Sequence, residues 1–153
     1  MYLFICQTPF QLSYVKRIIL KRKIDSKKII IIHSGLIINE FKGQIQFINT
    51  KSLKGFFSEM LVMKKTIFTI NNLLKNKTKI QLFIPHIGGF IANYLFFVKK
   101  FKSQIDVNFY YEGVLYFYEY KEKPHFFHIQ RIVMSIFMGF VYKYKPQILP
   151  IDS

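Results

Sequence analysis

The run Ile29-Ile30-Ile31-Ile32-His33 limits the fold more than any other stretch of this chain. Successive side chains of a strand point to opposite faces, so a strand that is apolar at every position must be covered on both sides. Tyr2 to Cys6 has the same character and begins at the first residues. Between the two runs, Gln7-Thr8-Pro9 breaks the first. Thr8 suits a helix N-cap and Pro9 the first helical position. A helix is predicted from Phe10 to about Lys23, with Leu12, Val15, Ile18 and Ile19 on one face. Ser34-Gly35 closes the second strand. Strand, helix and buried strand in this order make a βαβ unit, which builds a parallel sheet.

The same alternation continues. Gln44 to Ile48 alternates as a short strand would. Ser52 to Asn76 reads as a helix, with Phe56, Leu61, Ile67, Ile70 and Leu74 at helical spacing and lysines between them. Lys79 to Ile84 reads as a strand stopped by Pro85. His86-Ile87-Gly88-Gly89 reads as a loop, and Phe90 to Lys102 as the next helix. Val107 to Tyr111 then reads as a buried strand that delivers Glu112-Gly113 at its C-terminal tip. A second aromatic run, Val114 to Tyr120, leads away, and a helix is predicted over Phe126 to Tyr144, before Pro146. The expectation is one α/β domain over residues 1–153, with a doubly wound, mostly parallel sheet.

At 153 residues the chain has the size of one domain, or of one half of a two-domain enzyme. Lys and Arg number 23 against 8 acids, a net charge of +15. Two readings of that charge stand together. One is an anionic partner: nucleic acid, acidic polysaccharide, nucleotide or membrane surface, the last attracting about 1 kcal/mol per nearby basic residue. The other is AT-rich coding, which enriches Lys, Ile, Asn and Phe. Cys6 is the single cysteine, which excludes an intrachain disulfide and a cysteine metal cluster and fits a reducing cytoplasm. The N-terminus lacks the basic region of a signal peptide. The apolar stretch Ile132 to Tyr142, bounded by Arg131, is too short to span a bilayer. A helix lying on the membrane surface, peripheral at the inner face, stays open.

Three predicted strand tips carry polar residues, and a parallel sheet brings such tips to one edge, where ligands bind. The first is Gln7-Thr8-Pro9 with Gln11, a helix start whose free N–H groups suit an anionic or hydroxyl-rich ligand. The second is His86 with Gly88 and Gly89, an imidazole beside backbone that a ligand can approach closely. The third is Glu112-Gly113. Desolvation among aromatic residues would raise the Glu112 carboxyl toward the range of a general base. Each has a plainer reading: a helix cap, a loop histidine bonded to backbone, a turn, a carboxylate paired with a lysine.

Other motifs are lacking. The glycines spell neither GxGxxG nor a Walker loop. His125 and His128 have no acidic or cysteine companions at metal spacing and read as a helix start. The aromatic residues sit inside apolar runs and read as core rather than as base-stacking platforms. No nucleic-acid module is recognised.

The opening LFICQTPFQLSYVKRII, with the later FYYEG, resembles the bacterial sialyltransferases of glycosyltransferase family 52 and the related capsular polysialyltransferases. Cys6, Thr8, Pro9 and Gln11 match the family's first strand-to-helix stretch. Glu112 and Gly113 match the end of a strand that closes in two acids and a glycine. The segment LFIPHIGGFIANYLFF falls where the family has an acceptor-facing strand, loop and helix. The resemblance implies the Rossmann-like N-terminal half of a GT-B glycosyltransferase. It implies inverting transfer of sialic acid from CMP-sialic acid to a cell-surface glycan, lipooligosaccharide or capsule, without a metal. Glu112 would then take the acceptor proton, and His86 with the Thr8-Pro9-Gln11 loop would hold the acceptor. Two departures accompany it: Tyr111 stands at the first acidic position, and the family's His-Pro motif for the CMP phosphate is absent. The chain is therefore expected to be the acceptor half, separated from its nucleotide-sugar domain and weak or inactive alone. The alternative is a non-catalytic basic module that binds acidic glycan or a membrane surface. A third reading is a nucleic-acid binder.

Overall fold

The computed structural model describes residues 1–36, 38, 41, 43–51, 55–85, 89–97, 104–110 and 125–143, with the backbone alone for 125–128. Its centre is an all-parallel five-stranded sheet. The strands are β1 (Tyr2–Cys6), β2 (Ile29–His33), β3 (Gln46–Asn49), β4 (Ile80–Ile84) and β5 (Ile105–Phe109). Their order across the sheet is β3-β2-β1-β4-β5. β1 sits in the middle, with Phe4 opposite Ile31 on one side and opposite Phe83 on the other. This order is that of a doubly wound sheet, which reverses direction between β1 and β4.

The apolar runs form these strands because both faces are covered. Leu3, Ile5, Ile30 and Ile32 enter one core with α2 (Phe56–Leu74), α3 (Phe90–Phe97) and α4 (His125–Phe137). Phe4, Cys6, Ile29 and Ile31 enter the other with α1 (Pro9–Lys21). The β2–β3 connection lies on the α1 side, where Leu36, Ile38, Phe41 and Ile45 pack. The sheet expectation thus stands, and every described strand pairing is parallel.

Several bounds shift by a few residues: β3 runs Gln46–Asn49 rather than Gln44–Ile48, and α2 runs Phe56–Leu74 within the expected Ser52–Asn76. Two further elements differ in character or in where they stop. β5 starts and ends two residues earlier than the predicted strand. It is an edge strand, paired with β4 alone among the described strands, and half-exposed rather than buried. Ile105 and Val107 pack against the core while Asp106 is exposed, and Phe109 at the strand's end is exposed as well, so the strand is only half-covered. α4 ends at Phe137, not at Tyr144. Gly139, at φ 73°, takes a left-handed conformation that lets the chain turn back. Phe140 and Tyr142 then pack on Phe90, with ring centroids 5.2 and 6.1 Å away. Two hydrogen bonds lock that return: Asn93 Nδ2 donates to the Lys143 carbonyl and Lys143 N–H donates to Asn93 Oδ1, both 3.1 Å.

Candidate functional site

The C-terminal ends of the strands gather on one rim, as a parallel sheet requires. At the β1 tip, Thr8 caps α1 and Pro9 opens it, as the sequence predicts: Thr8 Oγ1 accepts from Gln11 N–H at 3.2 Å. Gln11 is fully buried, and its Oε1 accepts from Gln7 N–H at 2.6 Å. The Gln7 and Gln11 amides are engaged by side chains of the same loop, and Pro9 has no N–H, so these three positions offer an anion no free backbone donor. Gln11 braces the loop from inside, while Gln7 is exposed at the rim.

The β1 and β4 tips do meet. A Cβ built on Gly89 would lie 2.8 Å from Gln7 Nε2, so glycine there leaves room for the Gln7 amide. Of the expected site residues, Gln7, Thr8, Pro9, Gln11 and Gly89 therefore cluster where the sheet reverses direction. His86, Gly88, Glu112 and Gly113 lie outside the described residues.

Tyr110 marks the approach to that last pair. Its N–H extends the β5 ladder to the Ile84 carbonyl at 3.1 Å. Its hydroxyl reaches across to β1 and donates to the Ile5 carbonyl at 2.5 Å, with Cys6 Sγ at 3.9 Å. Its ring stacks on Tyr14 at 5.8 Å. Burial pushes the Cys6 thiol up to about 12, so it carries no thiolate nucleophile at neutral pH.

Beside Gln7 an open crevice of about 390 Å³ lies on the α2–α4 side of the sheet. Its polar lining is Gln7, Ser34, Thr50, Lys51, Glu59 and Arg131. Arg131 of α4 and Glu59 of α2 form an ion pair at 3.2 Å across it. The Arg131 guanidinium also lies 5.4 Å from the centroid of the Phe90 ring. Lys51 and Arg131 against Glu59 leave this lining cationic, which favours an anionic ligand. The first turn of α3, Phe90 to Ala92, contributes apolar wall.

The β2–β3 rim that presents Thr50 and Lys51 is held by hydrogen bonds. The His33 carbonyl accepts from Thr50 N–H at 2.7 Å and from Thr50 Oγ1 at 3.0 Å. Asn49 Oδ1 accepts from Gly35 N–H at 3.0 Å and Lys51 N–H at 2.9 Å. Gly35 has φ 65°, a left-handed conformation that favours glycine, and a Cβ on it would push the flexible Lys51 side chain aside, its Cδ lying 2.6 Å away. The buried His33 ring accepts from Leu36 N–H at Nδ1, 3.2 Å.

Burial lowers the pKa of His33 below the ordinary imidazole value, because the charged form loses solvation. The native state thus resists a proton that the unfolded chain takes up below about pH 6.5. The pH effect of His33 on stability is therefore nil above that value and destabilising as pH falls from it toward the lower native pKa. Urea midpoints at pH 7.5 and 5.5 should show the wild type losing more stability on acidification than His33→Asn does. Equal losses in both chains would dismiss this assignment.

Glu59, Lys51, Ser34, Thr50 and Arg131 are the rim residues that reading the sequence misses. Glu59 carries a weak signal as one of only 8 acids, set in the first turn of a helix whose other charged residues are Lys64 and Lys65. Arg131 stands out in the sequence only as a break in an apolar run. Among the described residues no group of three or more His, Cys, Asp or Glu stands together as a metal site. Comparison of the chain with protein-family models, curated proteins and solved structures finds no match.

Proposed function

We propose that this domain is the acceptor-side half of an inverting, sialyltransferase-like glycosyltransferase of GT-B architecture. The observation that supports it most is the meeting of Gln7 and Gly89 at the reversal point of the sheet, beside a cationic crevice. Open α/β sheets bind ligands at that point. A cationic, amide-bearing lining suits a hydroxyl-rich substrate carrying a carboxylate or phosphate. The donor identity, CMP-sialic acid, rests on the resemblance of the β1–α1 and FYYEG segments.

In this reading Glu112 removes the proton of the acceptor hydroxyl as that oxygen attacks the anomeric carbon. The bond to CMP breaks on the opposite face, and CMP leaves with the electron pair. Gln7 and His86 orient the acceptor, and Arg131 offsets anionic charge near the crevice. Tyr110, two residues before Glu112 in the sequence, is anchored to the Ile5 carbonyl. The nucleotide would be held by a second domain.

The test is transfer from CMP-sialic acid to a lactose-terminated acceptor. The purified chain should release no CMP alone and should do so when mixed with a nucleotide-binding C-terminal domain of the resembled family. Glu112→Ala should then lower kcat by about a hundredfold or more. Transfer that survives this change at full rate removes Glu112 from the reaction. Failure of every such domain to restore transfer removes the glycosyltransferase reading and leaves the non-catalytic basic module.

A further inference from the structure

α4 carries more apolar surface than the domain covers. Met134 and Ser135 face inward, and Arg131 reaches Glu59. The outward side presents Ile129, Ile132, Val133, Ile136 and Phe137, spaced at i, i+3, i+4, i+7 and i+8. Ile136 is 69% and Phe137 70% exposed, and Val141 just beyond the helix is 77% exposed.

α2, on the same side of the sheet, repeats the pattern. Phe57, Leu61 and Phe68 are exposed on its outer side, interleaved with exposed Lys64 and Lys65. Among the described residues of α2, α3 and α4, Glu59 is the one acid, and Arg131 engages it. From Lys123 to Lys145 the sequence contains no carboxylate. The outer surface of this helix layer is thus apolar and cationic.

We propose that this helix layer docks on an anionic lipid surface, with α4 lying in the interfacial plane. Ile, Val and Phe side chains would enter the boundary between headgroups and acyl chains, while the lysines meet lipid phosphates. No described helix is long and apolar enough to cross a membrane. Two other occupants fit less well. Ile129, Ile132, Val133, Ile136 and Val141 cannot stack on bases, so nucleic acid would leave most of the α4 stripe in water. A second copy would set lysines against lysines across the interface.

Sedimentation with vesicles tests this without reference to sugar transfer. The chain should bind vesicles of phosphatidylcholine mixed with phosphatidylglycerol, and weakly those of phosphatidylcholine alone. Ile132→Ser/Ile136→Ser/Phe137→Ser should weaken anionic-vesicle binding about tenfold or more. Its melting temperature should stay near wild type, since all three side chains are exposed. Lys64→Gln/Lys65→Gln should weaken binding severalfold and reduce its salt dependence. No binding to anionic vesicles, or undiminished binding by the triple variant, overturns the proposal. So does a concentration-dependent dimer abolished by the triple variant in a chain that ignores vesicles.

Discussion

Phe4→Ala should lower the stability of the domain by about 4 kcal/mol, close to a thousandfold in the folding equilibrium. Phe4 lies at the middle of the central strand and is fully buried. Its ring stacks on Phe83 at 4.6 Å, and Leu12 and Val15 of α1 close over the same cluster. Truncation opens a cavity that strands on both sides cannot fill, because their backbones are fixed by the ladder. Urea denaturation followed by circular dichroism measures the loss. A drop under about 1 kcal/mol would mean that α1 collapses into the space, and that the sheet is less rigid than its pairing suggests.

Asn93→Ala should cost about 3 kcal/mol, by a different route. Asn93 is fully buried in α3, and its amide both donates to and accepts from the Lys143 backbone. Removal loses two hydrogen bonds and leaves the partly buried carbonyl and N–H of Lys143 without those partners. The effect should not be confined to stability. The Asn93 clip holds the segment after α4, and α4 carries Arg131 into the crevice. Hydrogen exchange should therefore quicken in residues 129–143 of the variant while the β1 and β4 amides stay protected. Uniform change across the sheet would show that the clip has no local role.

Some of this protein was plain in its residues. Continuous apolar runs at Tyr2–Cys6 and Ile29–His33 imply strands covered on both faces, and the sheet is parallel. Thr8-Pro9 marks the start of α1 because capping is local chemistry, decided within four residues. The sequence of β5 carries two conflicting signals: the aromatic residues 109–111 suggest a buried strand over 107–111, whereas the apolar–polar alternation from Ile105 suits an edge strand. The end of α4 was missed because apolar periodicity runs past Phe137, and only the turn at Gly139 breaks it.

The pattern of local propensities was enough to name an α/β sheet and to put polar loops at strand ends, since periodicity and capping act between near neighbours. Which loops touch was settled by tertiary contact alone. Gln7 meets Gly89, and Glu59 meets Arg131, only because the chain reverses across β1 and brings distant helices onto one side of the sheet. Pair proximity of that kind depends on the three-dimensional path, and a single linear string of side chains does not encode it in any local rule.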